Sequence, residues 1–226
     1  AYEIGVRLVG SEMCIRDSNR TFSTRTTLRT DLNVLKNFKP IVPEEYKKSK
    51  FVYLANNDPE QNISLIKEFD DVKFSMCDTI DFWINTKRSS VVRMFKAVDA
   101  VVINDEEAKL LTKEFNLIKC AKKIMSWGTK YVIIKKAEHG SLLFFEDGIF
   151  ASPGFPLENI VDPTGAGDSF AGAMIGYLAS KKKTDLSSIK KSIIHGNVMG
   201  SFAVQKYGLE GLLKLSLIHI SEPTRR

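Results

Sequence analysis

The chain has 226 residues, of which 43% are hydrophobic and 27% charged, with 14 Gly and 7 Pro; at about 150 residues per domain this is one large domain or one and a half. That composition excludes a disulfide miniature, a low-complexity tract and a disordered chain. The net charge of +6 comes in small clusters such as Lys122-Lys123, Lys135-Lys136 and Lys181-Lys182-Lys183 without interleaved aromatics, which reads as solvated surface and not as a nucleic-acid groove.

In chain order, residues 1–18 show no sustained helical or strand period, and neither do residues 216–226. Both strings resemble translated sequencing-adapter read-through, so the expectation is a non-native extension at each end, set aside from fold reasoning. Leaving them out removes four basic and four acidic residues, so the net charge is unchanged. Residues 19–48 carry a Thr-rich alternation and then KPIVPEEY, which predicts strands of a small separate sheet, the remnant of an appended subdomain. From residue 49 to 215 strand and helix alternate. Phe51 to Ala55 is a short apolar strand, and Pro59 opens a helix with Ile63, Ile66 and Phe69 at helical spacing. Val72 to Met76 is the next strand, Ser89 to Ala97 a helix, and Asp99 to Ile103 a buried strand. Asn104 then caps a helix whose first turn holds Asp105, Glu106 and Glu107. Helical patterns follow over Glu106 to Phe115 and Leu117 to Trp127, then a strand over Tyr131 to Ile134. After Gly140, the Asp147-Gly148 pair signals a tight hairpin. Strands spaced by helices imply right-handed crossovers and a largely parallel sheet covered on both faces, an α/β class.

The three cysteines, Cys14, Cys77 and Cys120, are far apart and lack metal-ligand spacing. No run of about 18 apolar residues occurs. The expectation is a cytoplasmic protein without disulfides, membrane contact or a zinc site.

The chemistry concentrates between Asn159 and Ser180, where a Pro and a Gly165-Ala166-Gly167 turn precede a helix with Phe170, Ala173, Met174 and Tyr177 as its buried stripe. Without bulky side chains, the first-turn amides can approach an anion, which the helix dipole favours. Asp168 stands in the same turn, where a carboxylate beside an anion makes sense as a proton acceptor. That is the arrangement of a kinase. A Gly-rich turn capped by an Asp is the plainer alternative for GAGD alone. The string has no GxxxxGK[ST], and Phe170 occupies the last Gly position of GxGxxG, so neither a P-loop nor a dinucleotide turn is written here.

Asp162-Pro163-Thr164-Gly165-Ala166-Gly167-Asp168, followed by Ser-Phe-Ala-Gly172-Ala173-Met174, resembles the C-terminal signature of the ribokinase-like (PfkB) carbohydrate kinases. Asn104 to Glu107 stands where that family has its NxxE motif, and the resemblance runs from about Arg25 to Leu215. It implies a three-layer α/β/α sandwich with a small β lid, and ATP-dependent phosphorylation of a sugar hydroxyl. Asp168 would be the catalytic base and Gly165, Ala166 and Gly167 the anion hole. Asn104 and Glu107 would organise Mg²⁺ through water around the ATP phosphates, their residue-level alternative being a plain helix cap. Lys135 to Gly140 would follow those phosphates, with Ala137 standing where a Gly is usual. Asn197 would lie by the nucleotide, while its neighbour His195 reads as a packed or surface histidine. Asp162 with carbonyls near Ala203 and Gly208 matches a monovalent-cation site, K⁺ being the expected ion. A homodimer is the expectation for the full-length protein.

Complete members of the family begin with a strand-rich half carrying a Gly-Gly-containing sugar motif, and nothing of that kind precedes Arg25. The expectation is a C-terminal fragment without most of the sugar pocket, in which Asn56 and Asn57 are the substrate candidates and which is itself inactive. The rival expectations are a catalytically silent nucleotide-binding module, or a kinase for a nucleoside or vitamin-like alcohol.

Overall fold

The computed structural model describes residues 13–18, 25–33, 39–213 and 215. The chain divides into two compact units, residues 1–41 and 42–226. In the first, β1 (Met13–Ser18) pairs antiparallel with β2 (Arg25–Asp31), with an irregularity between Ile15 and Arg16. This two-stranded ribbon is a sheet of its own. Its second strand is the Thr-rich segment, where β-branched residues favour the pleat. Its first strand lies inside the terminal segment whose sequence shows no sustained period. The expectations for residues 1–12, 19–24, 34–38 and 216–226 fall outside the described residues.

The second unit is built on a six-stranded sheet in the order β3 (Phe51–Leu54), β4 (Phe74–Cys77), β5 (Ala100–Asn104), β6 (Tyr131–Lys135), β7 (Ser141–Phe145), β8 (Gly148–Ser152). From β3 to β6 the strands are parallel, and β7 and β8 add on antiparallel. A short turn of helix, α1 (Glu44–Lys47), precedes the sheet. The crossovers carry α2 (Pro59–Leu65), then α3 (Asp81–Thr86) and α4 (Arg88–Lys96), then α5 (Asp105–Thr112) and α6 (Leu117–Met125). Sequential strands are neighbours, so right-handed crossovers put all five helices on one face. They pack there against one another, α2 on α4, α3 on α4 and α5, and α5 on α6. The two long helices α7 (Ala166–Lys181) and α8 (Leu186–Ala203) pack together and against β3, β7 and β8. A last turn, α9 (Glu210–Leu213), packs on α8.

Strand alternation decides which side chain meets which layer. Phe74 and Met76, Ala100 and Val102, Ile133 and Leu143 form one buried cluster with Phe170, Ala171, Met174 and Leu178 of α7 and Ile189 and Ile193 of α8. The intervening Val101, Ile103, Val132 and Ile134 are equally buried on the opposite face. Both faces are covered, so these strands read as continuous apolar runs without alternation. Cutting a fully buried member such as Met174 to Ala costs about 2–5 kcal/mol.

Five details differ from the sequence reading. The buried row of α7 is Phe170, Ala171, Met174 and Leu178, while Ala173 and Tyr177 are half-buried, because the helix beds onto both the sheet and α8. In α2 the buried residues are Pro59 and Asn62, with Ile63, Ile66 and Phe69 only half-buried. Asn62 fits because its amide donates to Ala55 O at 3.1 Å. The β7–β8 hairpin turns at Glu146-Asp147, with Phe145 opposite Gly148, so Gly148 opens the next strand. Helix α3 has no counterpart among the expected elements, and α5 stops at Thr112 with Lys113 left-handed.

Candidate active site

The period-2 rows that face α7 and α8 do not stay apolar. Phe51 and Tyr53 pack against the α7/α8 core, and the row Phe74, Met76 runs on to Asp78, whose N–H continues the ladder to Leu54 O at 3.3 Å. Ile133 is followed in its row by Lys135, the last residue of β6. At the carboxyl ends of the parallel strands this face therefore carries Tyr53, Asp78 and Lys135. The N-terminus of α7, with Asp168 in its first turn, meets the same group, since the charge of Asp168 is felt by both Tyr53 and Asp78.

Asp78 is 6% exposed. Its Oδ2 accepts from the Tyr53 hydroxyl, and its Oδ1 is buried without a hydrogen-bond partner among the described residues, as is Oγ1 of neighbouring Thr79. Burial pushes the Asp78 carboxyl up to about 7, against the opposing pull of the Lys135 ammonium and the Tyr53 hydrogen bond; the charges of Asp168 and Glu107 push it further. The Tyr53 hydroxyl is raised by burial and by Asp78. Orphaned polar atoms in a buried position call for an explanation, and strongly perturbed carboxyls gather where chemistry is done. Neither Asp78 nor Thr79 was selected from the sequence; continuing the Phe74, Met76 alternation by one step would have reached Asp78.

At the head of α7 the chain turns through Gly165 at φ 77°, ψ 0°, a left-handed position that glycine takes without steric cost. Ala166 N–H donates to Pro163 O at 3.2 Å and Ser169 N–H to Gly165 O at 2.9 Å. Asp168 is exposed, so its carboxylate is accessible to a bound hydroxyl. A Cβ built on Gly167 would stand 2.8 Å from Lys135 Nζ. The ammonium thus lies directly over the turn whose amides are suited to an anion.

Asn104 and Glu107 form a reciprocal capping box. Asn104 Oδ1 accepts from Glu107 N–H at 2.7 Å, and Glu107 Oε2 from Asn104 N–H at 3.1 Å. The helix-cap alternative is therefore realised, and it holds Glu107, 7% exposed, near enough for Asp78 to feel its charge. After Lys135 a tight loop closes through Lys136 N–H to Gly140 O at 2.7 Å. Ala137 sits at φ 47°, which explains a preference for Gly there. Gly140 has φ 79°, and a Cβ on it would lie 2.1 Å from Ser152 O, so the loop is pressed against the end of β8. Asn197 of α8 is occupied with that same edge, its Nδ2 donating to Ser152 Oγ at 2.8 Å and its Oδ1 accepting from Ser141 Oγ at 3.3 Å.

The remaining candidates have other hydrogen-bond partners. Asn56 Oδ1 accepts from Trp83 Nε1 at 3.0 Å, and Asn57 donates to Gln61 at 3.2 Å. Val161 and Asp162 both donate their N–H to Val204 O, which seats Asp162 beside the residue after Ala203. One oxygen of Asp162 accepts from Thr164 N–H at 2.9 Å, and Gly208 is an exposed left-handed turn residue. His195 stacks on Tyr177 at 4.4 Å, as a packed histidine does, and burial then Lys181 lower its pKa. Cys77 and Cys120 are buried and free. Among the described residues no three His, Cys, Asp or Glu side chains form a metal-holding group, and no helix is long and apolar enough to cross a membrane.

An exposed carboxylate beside a cationic anion cradle, at the strand ends of an α/β sheet, is suited to transfer of an anionic group onto a hydroxyl. Comparison with known proteins points the same way. Cytidine kinase of Thermococcus kodakarensis is 33% identical over 147 residues, covering 61% of this chain and 50% of that protein. Ribokinase of Thermotoga maritima superposes with a TM-score of 0.65 at 21% identity, over 87% of this chain and 64% of that one. A protein described as ribokinase II of E. coli, solved with ATP and Mg²⁺, does so with a TM-score of 0.59 at 22% identity, over 73% and 52%. The chain thus spans half the length of the cytidine kinase that it matches. The pfkB family carbohydrate kinase model matches residues 11–214, and with the ribokinase-like fold in place the chain belongs to that family of phosphotransferases.

Proposed function

We propose that the site serves ATP-dependent phosphorylation of a sugar hydroxyl, with Asp168 as general base and the Gly165–Gly167 turn as anion hole. The observation that carries this reading is the convergence of Asp168 from α7, Lys135 from β6 and Asp78 from the step after β4 at one end of the sheet. The acceptor O–H gives its proton to the Asp168 carboxylate as its oxygen bonds the γ-phosphorus of ATP. The bond from that phosphorus to the β,γ-bridging oxygen breaks, and its electron pair leaves with ADP. Gly167 permits close approach of the phosphoryl oxygens to the backbone amides, which need not reorganise as charge develops.

Magnesium fits this site as an ion held mainly by water and substrate phosphates, because Glu107 supplies a buried carboxylate and the described residues form no three-ligand protein cage. Glu107 would hold it through water, and when bound it would draw charge from the phosphate oxygens. Asn104 would act by fixing Glu107 through the capping box. Asp162, with the Ala203 and Gly208 carbonyls, would take K⁺ beside the turn. The Lys135–Gly140 loop would line the phosphates, while Asn197 would act at one remove by anchoring the β8 edge against that loop. Asn56 and Asn57 would reach the acceptor only from the end of β3.

The match to a cytidine kinase favours a second acceptor, the sugar hydroxyl of a nucleoside. The groups that hold either acceptor in line would come largely from sequence outside residues 49–215. The test is Asp168→Asn in a chain completed with the N-terminal half of a relative, assayed for ADP release against ketoses, aldoses and nucleosides. Turnover falling by about 10²-fold or more with nucleotide affinity kept supports the base. Unchanged turnover removes it, and acceptor-independent binding without any turnover favours a silent nucleotide-binding module.

A further inference from the structure

Two features of the site are unexplained by an anion hole and a base alone. The first is the Lys135 ammonium, which stands over Gly167 although a helix N-terminus is already positive. Lys135 makes no ion pair or side-chain hydrogen bond among the described residues. Two positive groups held together without an anion between them repel. The second is Asp78 Oδ1, buried and without a hydrogen-bond partner among the described residues, on a residue whose other oxygen is fixed by Tyr53. Burying a carboxyl in that state is costly unless something compensates. The two features belong together, because Lys135 is the charge that most stabilises the ionised Asp78.

Resting on the kinase reading above, we propose that Lys135 is a catalytic residue whose ammonium contacts the transferring phosphoryl group, and that Asp78 is a positioning residue holding it there. Lys135 projects from the last residue of β6, so its stem is anchored while its tip reaches Gly167, one residue from the base. A lysine is a compact point charge with three donors, suited to following a phosphoryl group as it moves between two oxygens. Asp78 follows the last residue of β4, pinned through Tyr53, and its ionised form is the one that Lys135 stabilises. In the transfer the acceptor O–P bond forms, the bond to the ADP oxygen breaks, and the proton stays on Asp168; Lys135 keeps its own protons and neutralises charge throughout.

The test reads binding in the 226-residue chain and needs no turnover. Calorimetry would compare ADP with the non-hydrolysable ATP analogue AMP-PNP, both with Mg²⁺. Lys135→Met keeps the aliphatic stem and should weaken AMP-PNP about tenfold or more, the loss expected for a charge-assisted hydrogen bond, and ADP by less than about threefold. Lys135→Arg should recover most of that loss. Asp78→Asn, which retains an acceptor for Tyr53, should change AMP-PNP affinity in the wild-type background and leave it unchanged in Lys135→Met, since it acts through the lysine. Equal losses for ADP and AMP-PNP, or no loss, overturn the catalytic assignment. Additive effects of the two substitutions overturn the positioning role. A wild-type chain that binds neither nucleotide overturns the kinase reading and this inference with it. Thermal melting of each variant separates a folding defect, which weakens both nucleotides alike, from the selective loss.

Discussion

The Asn104–Glu107 pair forms a capping box, and its proposed Mg²⁺ role can be separated from that structural one by substitution. Asn104→Ala removes the 2.7 Å bond from Glu107 N–H to Oδ1 and leaves that donor at a helix start whose Glu107 side chain is buried. N-cap truncations of this kind cost about 1 kcal/mol, and up to about 2. For a domain of this size that lowers Tm by roughly 2–4 °C per kcal/mol. Asn104→Ser restores an N-cap acceptor without adding charge and should recover all but a few tenths of a kcal/mol. Glu107→Gln retains the other half of the box, since Gln closes it as well as Glu does. Its stability should stay within about 0.5 kcal/mol of wild type, while Mg²⁺-dependent nucleotide affinity falls because the carboxylate is gone. Urea unfolding at two wavelengths gives the stabilities, and calorimetry with and without Mg²⁺ gives the affinities. The reasoning fails if Asn104→Ala melts like wild type, if Ser does not rescue it, or if Glu107→Gln loses stability and binding in parallel.

Further outcomes follow from the backbone and the buried acid. Gly140→Ala places a Cβ 2.1 Å from Ser152 O at φ 79° and should cost at least about 3 kcal/mol in strain and overpacking, whereas Gly172→Ala, with nothing within 4 Å, should gain about 0.5–1 kcal/mol; denaturation midpoints that do not separate the two would refute the loop geometry. Gly167→Val should fold, because its Cβ meets only the flexible tip of Lys135 at 2.8 Å, yet lose AMP-PNP affinity in calorimetry; retained affinity counts against the cradle. Asp78 is protonated in the folded chain to about pH 7 against a usual value of 3.8, so below that usual value its contribution is fully present, and it declines as pH rises towards 7. Over that window wild type should lose up to roughly 4 kcal/mol relative to Asp78→Asn, and parallel urea stabilities of the two proteins from pH 4 to 7 would show the carboxyl to be ordinary.

The covered sheet was legible because burial on both faces leaves near-continuous apolar runs, seen in Val101 to Ile103 and Val132 to Ile134. Caps and turns were legible for a local reason. Asn104 with Glu107, and Gly165 ahead of Asp168, act within three residues of each other, so their geometry is written in the adjacent sequence. The family signature was legible for the same cause and gave Asp168. Packing partners were not. Asn62 is buried and Ile63 is not, because α2 meets Ala55 and Met94, which lie 7 and 32 residues away. Asn197 is held by Ser152 and Ser141 across 45 and 56 residues, a relation that spacing along a helix does not encode. Asp78 carries no local signal beyond its place in the β4 alternation. Its orphaned oxygen, its bond to Tyr53 and its coupling to Lys135 and Asp168 exist only once four separate segments reach the same end of the sheet. Local sequence thus determined the elements, the cap and the place of Asp168 at the head of α7, since hydrogen bonding and hydrophobic period act over a few residues. Tertiary structure alone decided the electrostatics of the site, because a charge is set by what surrounds it in space.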